Sequence, residues 1–86
     1  MKKHLEVKLF HRTQRDLATV VNKVIDNHWE NKISEQQMIE YIKMLYKNNP
    51  DKFVKENHFT TIVKQQCGKR RLGIIKKILD NDYLEI

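Results

Sequence analysis

Eighty-six residues leave room for one modest core and exclude a second domain, because a chain this short buries only about 60% of its unfolded surface. At 40% hydrophobic and 33% charged residues the composition is too apolar for a disordered tail and too polar for a membrane protein. A net charge of +6 points to anionic partners, and a single cysteine excludes the internal disulfides that small secreted domains usually need.

The chain opens on Met1-Lys2-Lys3-His4 and passes into Leu5-Glu6-Val7-Lys8-Leu9-Phe10, which alternates like a half-buried strand and holds no apolar signal core. The other strand-like run is Asp82-Tyr83-Leu84-Glu85-Ile86, whose acids complement Lys2, Lys3 and Lys8. The two terminal segments are candidates for a two-stranded pairing, within one chain or between two, with fraying of both ends as the alternative. With no stretch near the roughly 20 apolar residues of a spanning helix, the expected compartment is the cytoplasm.

Thr13 has the hydroxyl to cap a helix start, and Asp16 places negative charge in its first turn. Leu17, Val20, Val21, Val24, Ile25 and His28 recur at helical spacing over about residues 14–30, with Ala18 and Trp29 at one margin and Gln14, Arg15, Thr19, Lys23, Asp26 and Asn27 on the solvated side. Ser34-Glu35-Gln36-Gln37 reads as a capping box. The helix it opens buries Met38, Ile39, Tyr41, Ile42, Leu45 and Tyr46, and Asn48-Asn49-Pro50 stops it. Only Ile33 lies between the polar end of helix one and this cap, so the two helices are expected to pack antiparallel. Pro50 suits the first position of a new short helix through Phe53 and Val54. From Phe59 the apolar pattern continues through Ile62, Val63 and Cys67 to Gly68, a natural helix stop. A last helix over about 69–80 turns Leu72, Ile74, Ile75, Ile78 and Leu79 inward. The expected fold is mainly α, a compact bundle of four to five short helices. It forms a single domain over 1–86, its core at about 13–80 and its extensions at 1–12 and 81–86.

Charge is segregated along this chain. Residues 13–56 carry seven basic and seven acidic groups, whereas residues 57–79 carry six basic groups and no acid. At about 100° per residue, Lys69, Arg70, Lys76 and Lys77 share one face of the last helix. Gly73 lies in the middle of that face, where glycine costs about 1 kcal/mol relative to alanine; close approach of a phosphate or a partner helix is what would offset it. Arg71 falls inside the apolar arc and must snorkel, meet a carboxylate or mark a packing gap. Lys64 and Gln65 extend the basic surface toward the helix start near Gly68 and Lys69, where free N–H groups favour an anion. The alternative for this lysine-rich face is plain solubility. The short turn Cys67-Gly68-Lys69 has the brevity of a helix-turn-helix, though Lys64 stands where that motif usually wants a small residue.

His4, His11, His28 and His58 lack metal-ligand spacing, and neither a phosphate loop nor a nucleophile, acid and base set is visible, so no catalytic site, metal or cofactor is expected. His28 reads as a core histidine or a charge at a helix end. Cys67 reads as a small buried hydrophobe, with a low-pKa reactive thiol as the alternative. Trp29, Tyr41, Tyr46 and Phe59 sit at core-like spacings, which argues against base stacking.

The strings Thr-Gln-Arg-Asp-Leu-Ala at 13–18 and Phe-Thr-Thr-Ile-Val-Lys-Gln-Gln-Cys-Gly-Lys-Arg-Arg-Leu-Gly-Ile-Ile-Lys-Lys-Ile-Leu at 59–79 resemble a family of short uncharacterised Firmicutes proteins, a domain of unknown function, over about residues 13–79. The resemblance implies a small helical cytoplasmic protein and supplies no activity. The function expected from the residues is non-catalytic binding of RNA or DNA backbone through Lys64, Lys69, Arg70, Arg71, Gly73, Lys76 and Lys77. The alternative is a protein-interaction module, such as a small regulator or phage-type inhibitor, docking the same face on an acidic or nucleic-acid-handling protein. Sequence leaves the oligomeric state open.

Overall fold

The computed structural model describes residues 9–56 and 58–80. The elements run α1 (Gln14–Trp29), α2 (Glu35–Asn48), α3 (Pro50–Phe53), β1 (Val54–Lys55), β2 (His58–Phe59) and α4 (Thr61–Asp80). The protein is mainly helical, with a small two-stranded antiparallel sheet among the described residues. Residues 5–8 and 82–86, on which the expected pairing of the termini rests, lie outside the described residues, and Leu9 and Phe10 are not in a strand.

Local chemistry sets each helix boundary. Thr13 Oγ1 accepts from the Asp16 N–H at 3.0 Å and starts α1. The helix ends in a Schellman turn: Asn31 takes φ 63, Lys32 N–H donates to Asn27 O at 2.8 Å and Asn31 N–H to His28 O at 3.0 Å. Asparagine tolerates this left-handed geometry better than most residues. The expected capping box is present in full, with Gln37 N–H donating to Ser34 Oγ at 3.1 Å and Ser34 N–H to Gln37 Oε1 at 2.8 Å.

Between α3 and α4 the chain departs from its apolar pattern. A short helix through Val54 and a longer one from Phe59 are expected, but Val54 pairs with Phe59 and Lys55 with His58 in the hairpin. Thr60 is the cause. Its N–H donates to Phe53 O at 3.0 Å and its hydroxyl to Lys52 O at 2.9 Å, which clips the chain back on itself and delays the helix to Thr61.

The core lies where α1 packs on α4 and α2, and it contains Leu17, Val21, Val24 and Ile25 from α1, Ile42 and Leu45 from α2, Phe53, and Val63, Ile75 and Leu79 from α4. One polar residue is built into it. Asn49, 2% exposed, accepts from His11 N–H at 2.9 Å through Oδ1 and donates through Nδ2 to Leu9 O at 2.6 Å and Leu45 O at 2.8 Å. Its carbonyl also receives Lys52 N–H at 3.1 Å. Thus the residue read as a helix stop also fastens residues 9–11 to the α2–α3 joint. Replacing it removes the side-chain partner of the His11 N–H and of the partly buried Leu9 carbonyl. Asn49→Ala is expected to lower the unfolding free energy by roughly 2–4 kcal/mol in urea titration, and a loss below about 0.5 kcal/mol contradicts this role.

Candidate nucleic-acid interface

Gly68 interrupts α4 with φ 77 and ψ 170, a conformation essentially restricted to glycine. Helical backbone therefore runs over 61–67, breaks, and resumes over 69–80. A single non-helical residue is shorter than the three- or four-residue turn of a helix-turn-helix. Helix ends leave carbonyls without internal donors, and two at this break are met by side chains. Asn22 Nδ2, from α1, donates to Gln66 O at 2.9 Å, and Arg71 Nη1 donates to Cys67 O at 3.3 Å. The Asn22 Oδ1 is buried and has no hydrogen-bond partner among the described residues.

Arg71 also resolves the anomaly of a cation in an apolar arc. Its Nη2 and Nε donate to Asp26 Oδ1 at 2.7 and 3.1 Å, joining α4 to α1. Asp26, placed by its spacing on the solvated side of α1, is instead half-buried at this contact. Of the seven expected site residues, Arg71 is thus committed to a contact inside the fold.

The other six fall into three groups. Lys69, Arg70, Gly73 and Lys77 are exposed along one stripe of the second half of α4, and Lys64 is exposed on the first half, before the break. Lys76 is half-buried at the margin. Ile75 and Leu79 on the opposite side are fully buried, with Leu72, Ile74 and Ile78 half-buried beside them. A Cβ at Gly73 meets nothing within 4 Å, so no packed neighbour among the described residues explains the glycine. Among the described residues, no carboxylate lies in ion-pair contact with Lys64, Lys69, Arg70, Lys76 or Lys77.

Trp29 departs from its core-like spacing. It ends α1 with 41% of its surface exposed, and the Arg70 and Arg71 guanidinium carbons lie 5.1 and 5.5 Å from its ring centroid. Its place at the margin of the apolar stripe, on the last turn of the helix, was the available sign of this. Beside it runs a groove of about 640 Å³ lined by His28, Trp29, Glu35, Met38, Ile39, Lys43, Ile74, Lys77 and Ile78.

The remaining chemistry is quiet. Cys67 is 2% exposed, and burial pushes its thiol up to about 11 against a partial lowering by Arg71, so it stays protonated and poorly nucleophilic at neutral pH. His28 Nδ1 lies 3.3 Å from Ile33 O, which accounts for its polar edge. Among the described residues no His, Cys, Asp or Glu cluster could hold a metal ion, and no helix is long and apolar enough to cross a membrane.

A protein-family model described as a conserved hypothetical protein matches residues 8–80, which takes in the whole of α1 through α4. No curated protein and no solved structure matches the chain.

The two glycines of α4 make opposite demands. Gly68→Ala forces a side chain into a positive φ and is expected to destabilise by roughly 1–3 kcal/mol. Gly73→Ala meets open space in a helix and is expected to stabilise by up to about 1 kcal/mol. Thermal unfolding of both variants checks this, and equal signs contradict it.

Proposed function

We propose that this chain, which belongs to that family of conserved hypothetical proteins, is a small non-catalytic protein that binds nucleic acid in the cytoplasm through the second half of α4. The observation that carries this reading is the stripe of Lys69, Arg70, Gly73 and Lys77, exposed side by side without carboxylate partners among the described residues. Lys64 and the partly covered Lys76 extend it. Phosphates neutralise such a surface and gain entropy by releasing counterions, whereas the flat side-chain set offers few groups for reading base sequence. Gly73 removes the one side chain that would stand between Lys69 and Lys77, which lets a phosphate approach the helix backbone. Arg71 supports the stripe by holding the helix in place, its own charge spent on Asp26.

A protein partner with an acidic surface is the second reading, favoured by the groove beside the stripe, whose Met38, Ile39, Ile74 and Ile78 supply apolar contact area. On that reading the chain acts as a regulator or inhibitor and not as a nucleic-acid carrier.

Fluorescence anisotropy with labelled 20-nucleotide DNA and RNA at two salt concentrations separates the two. If about four phosphates are contacted, the log–log dependence of affinity on salt has a slope of about −3, so binding weakens roughly fifty-fold from 50 to 200 mM salt. Lys69→Glu/Arg70→Glu is expected to abolish that binding with helicity retained by circular dichroism. Absence of binding at low salt overturns the proposal.

A further inference from the structure

Resting on the nucleic-acid reading, we infer that Trp29 and Arg70 form a stacking site for an unpaired base, so that the ligand is a single strand. Trp29 is a large aromatic side chain that the fold leaves 41% exposed although two side chains of α4, Arg70 and Arg71, lie against its ring. Its position is fixed from both sides of the sequence. The Schellman turn at Asn31 carries the chain away from the end of α1, and Arg71, pinned by Asp26 and Cys67 O, stands 5.5 Å from the ring. Arg70 stands 5.1 Å from the same ring and is exposed, with no carboxylate in contact among the described residues.

A partly exposed indole with the Arg70 guanidinium over its ring, and no carboxylate on that guanidinium among the described residues, presents flat surfaces and a positive charge in the same place. A nucleotide with an unpaired base supplies the matching set, a π face for the ring or the guanidinium plane and a phosphate for the charge. Lys77 lines the groove that Trp29 borders, and Lys69 lies along the same exposed stripe, so a strand leaving the stacked base meets further cations. A duplex keeps its base faces covered by their neighbours and offers the indole only its backbone. The site therefore distinguishes single from double strands, which a purely electrostatic stripe does not. Tyr46 and Phe53 meet at a tilt of 54° with their ring centroids 5.8 Å apart and Phe53 fully buried, which leaves Phe53 no such role.

Trp29 is the only tryptophan, so its fluorescence reports the site directly. The full chain is titrated with ten-nucleotide oligo(dT) and oligo(U) and with a duplex of equal phosphate count, and indole emission is followed alongside anisotropy of the labelled strand. The expected result is saturable quenching by the single strands, with affinity at least five-fold above that for the duplex; unequal affinities for oligo(dT) and oligo(U) assign the ligand to DNA or RNA. Trp29→Ala is expected to weaken single-strand binding roughly ten- to a hundred-fold with duplex binding unchanged, and Trp29→Phe to retain most of it. If Trp29→Ala does not fold, Arg70→Gln, an exposed substitution, is expected to reduce the preference for single strands. Salt-sensitive binding without quenching, equal for single strand and duplex, overturns the stacking site and leaves the nucleic-acid reading standing. No binding to any of the three ligands at low salt overturns both.

Discussion

The backbone at Gly68, at φ 77 and ψ 170, sets the direction of everything that follows it in the chain. A break in a helix exposes carbonyls that demand donors, and here the donors come from Asn22 of α1 and from Arg71 just beyond the break. Arg71 in turn grips Asp26 on α1, so the two sides of the break are held against the same helix. With that orientation fixed, Ile75 and Leu79 enter the core and Lys69, Arg70, Gly73 and Lys77 face solvent.

This arrangement explains how a small protein tolerates a segment of 23 residues, 57–79, with six cations and no acid. One cation, Arg71, is used in the fold and neutralised by Asp26, while most of the rest are kept apart in water where salt screens their mutual repulsion. Apolar burial across α1, α2 and α4 forms the core, and polar ties hold its joints: Asn49 at the α2–α3 corner, Thr60 at the hairpin exit, and Asn22 with Arg71 at the Gly68 break. The stripe therefore meets an external anion without breaking an ion pair among the described residues.

Much of the architecture was legible because it rests on local chemistry. Thr13, the Ser34–Gln37 box, Pro50 and Gly68 mark boundaries through their own hydrogen bonds or backbone limits, and the apolar periodicity of α1 and α2 identifies their buried sides. What sequence did not reveal depends on distant partners. The hairpin at 54–59 arises because Thr60 reaches back to Lys52 and Phe53, and the burial of Asn49 depends on residues about 40 positions away. In the candidate site, the exposed cations followed from helical projection, and Arg71 was recognisable as a misfit that needed a carboxylate. That the carboxylate is Asp26, 45 residues earlier, and that Trp29 is left outside rather than packed within, depend on how α1 lies against α4. Helical spacing fixes a side chain's angle around its own axis and says little about where the neighbouring helix stops covering it.

The most direct test of the account is a ¹H–¹⁵N correlation spectrum of the full chain titrated with a short single-stranded oligonucleotide at low salt. The account predicts shifts concentrated at the amides of Lys69, Arg70, Gly73 and Lys77 and at the Trp29 indole N–H, with the amides of Val21, Ile42 and Asp51 unmoved. Shifts centred on the exposed side of α2 around Met44 and Lys47, or no shifts at all, would contradict it.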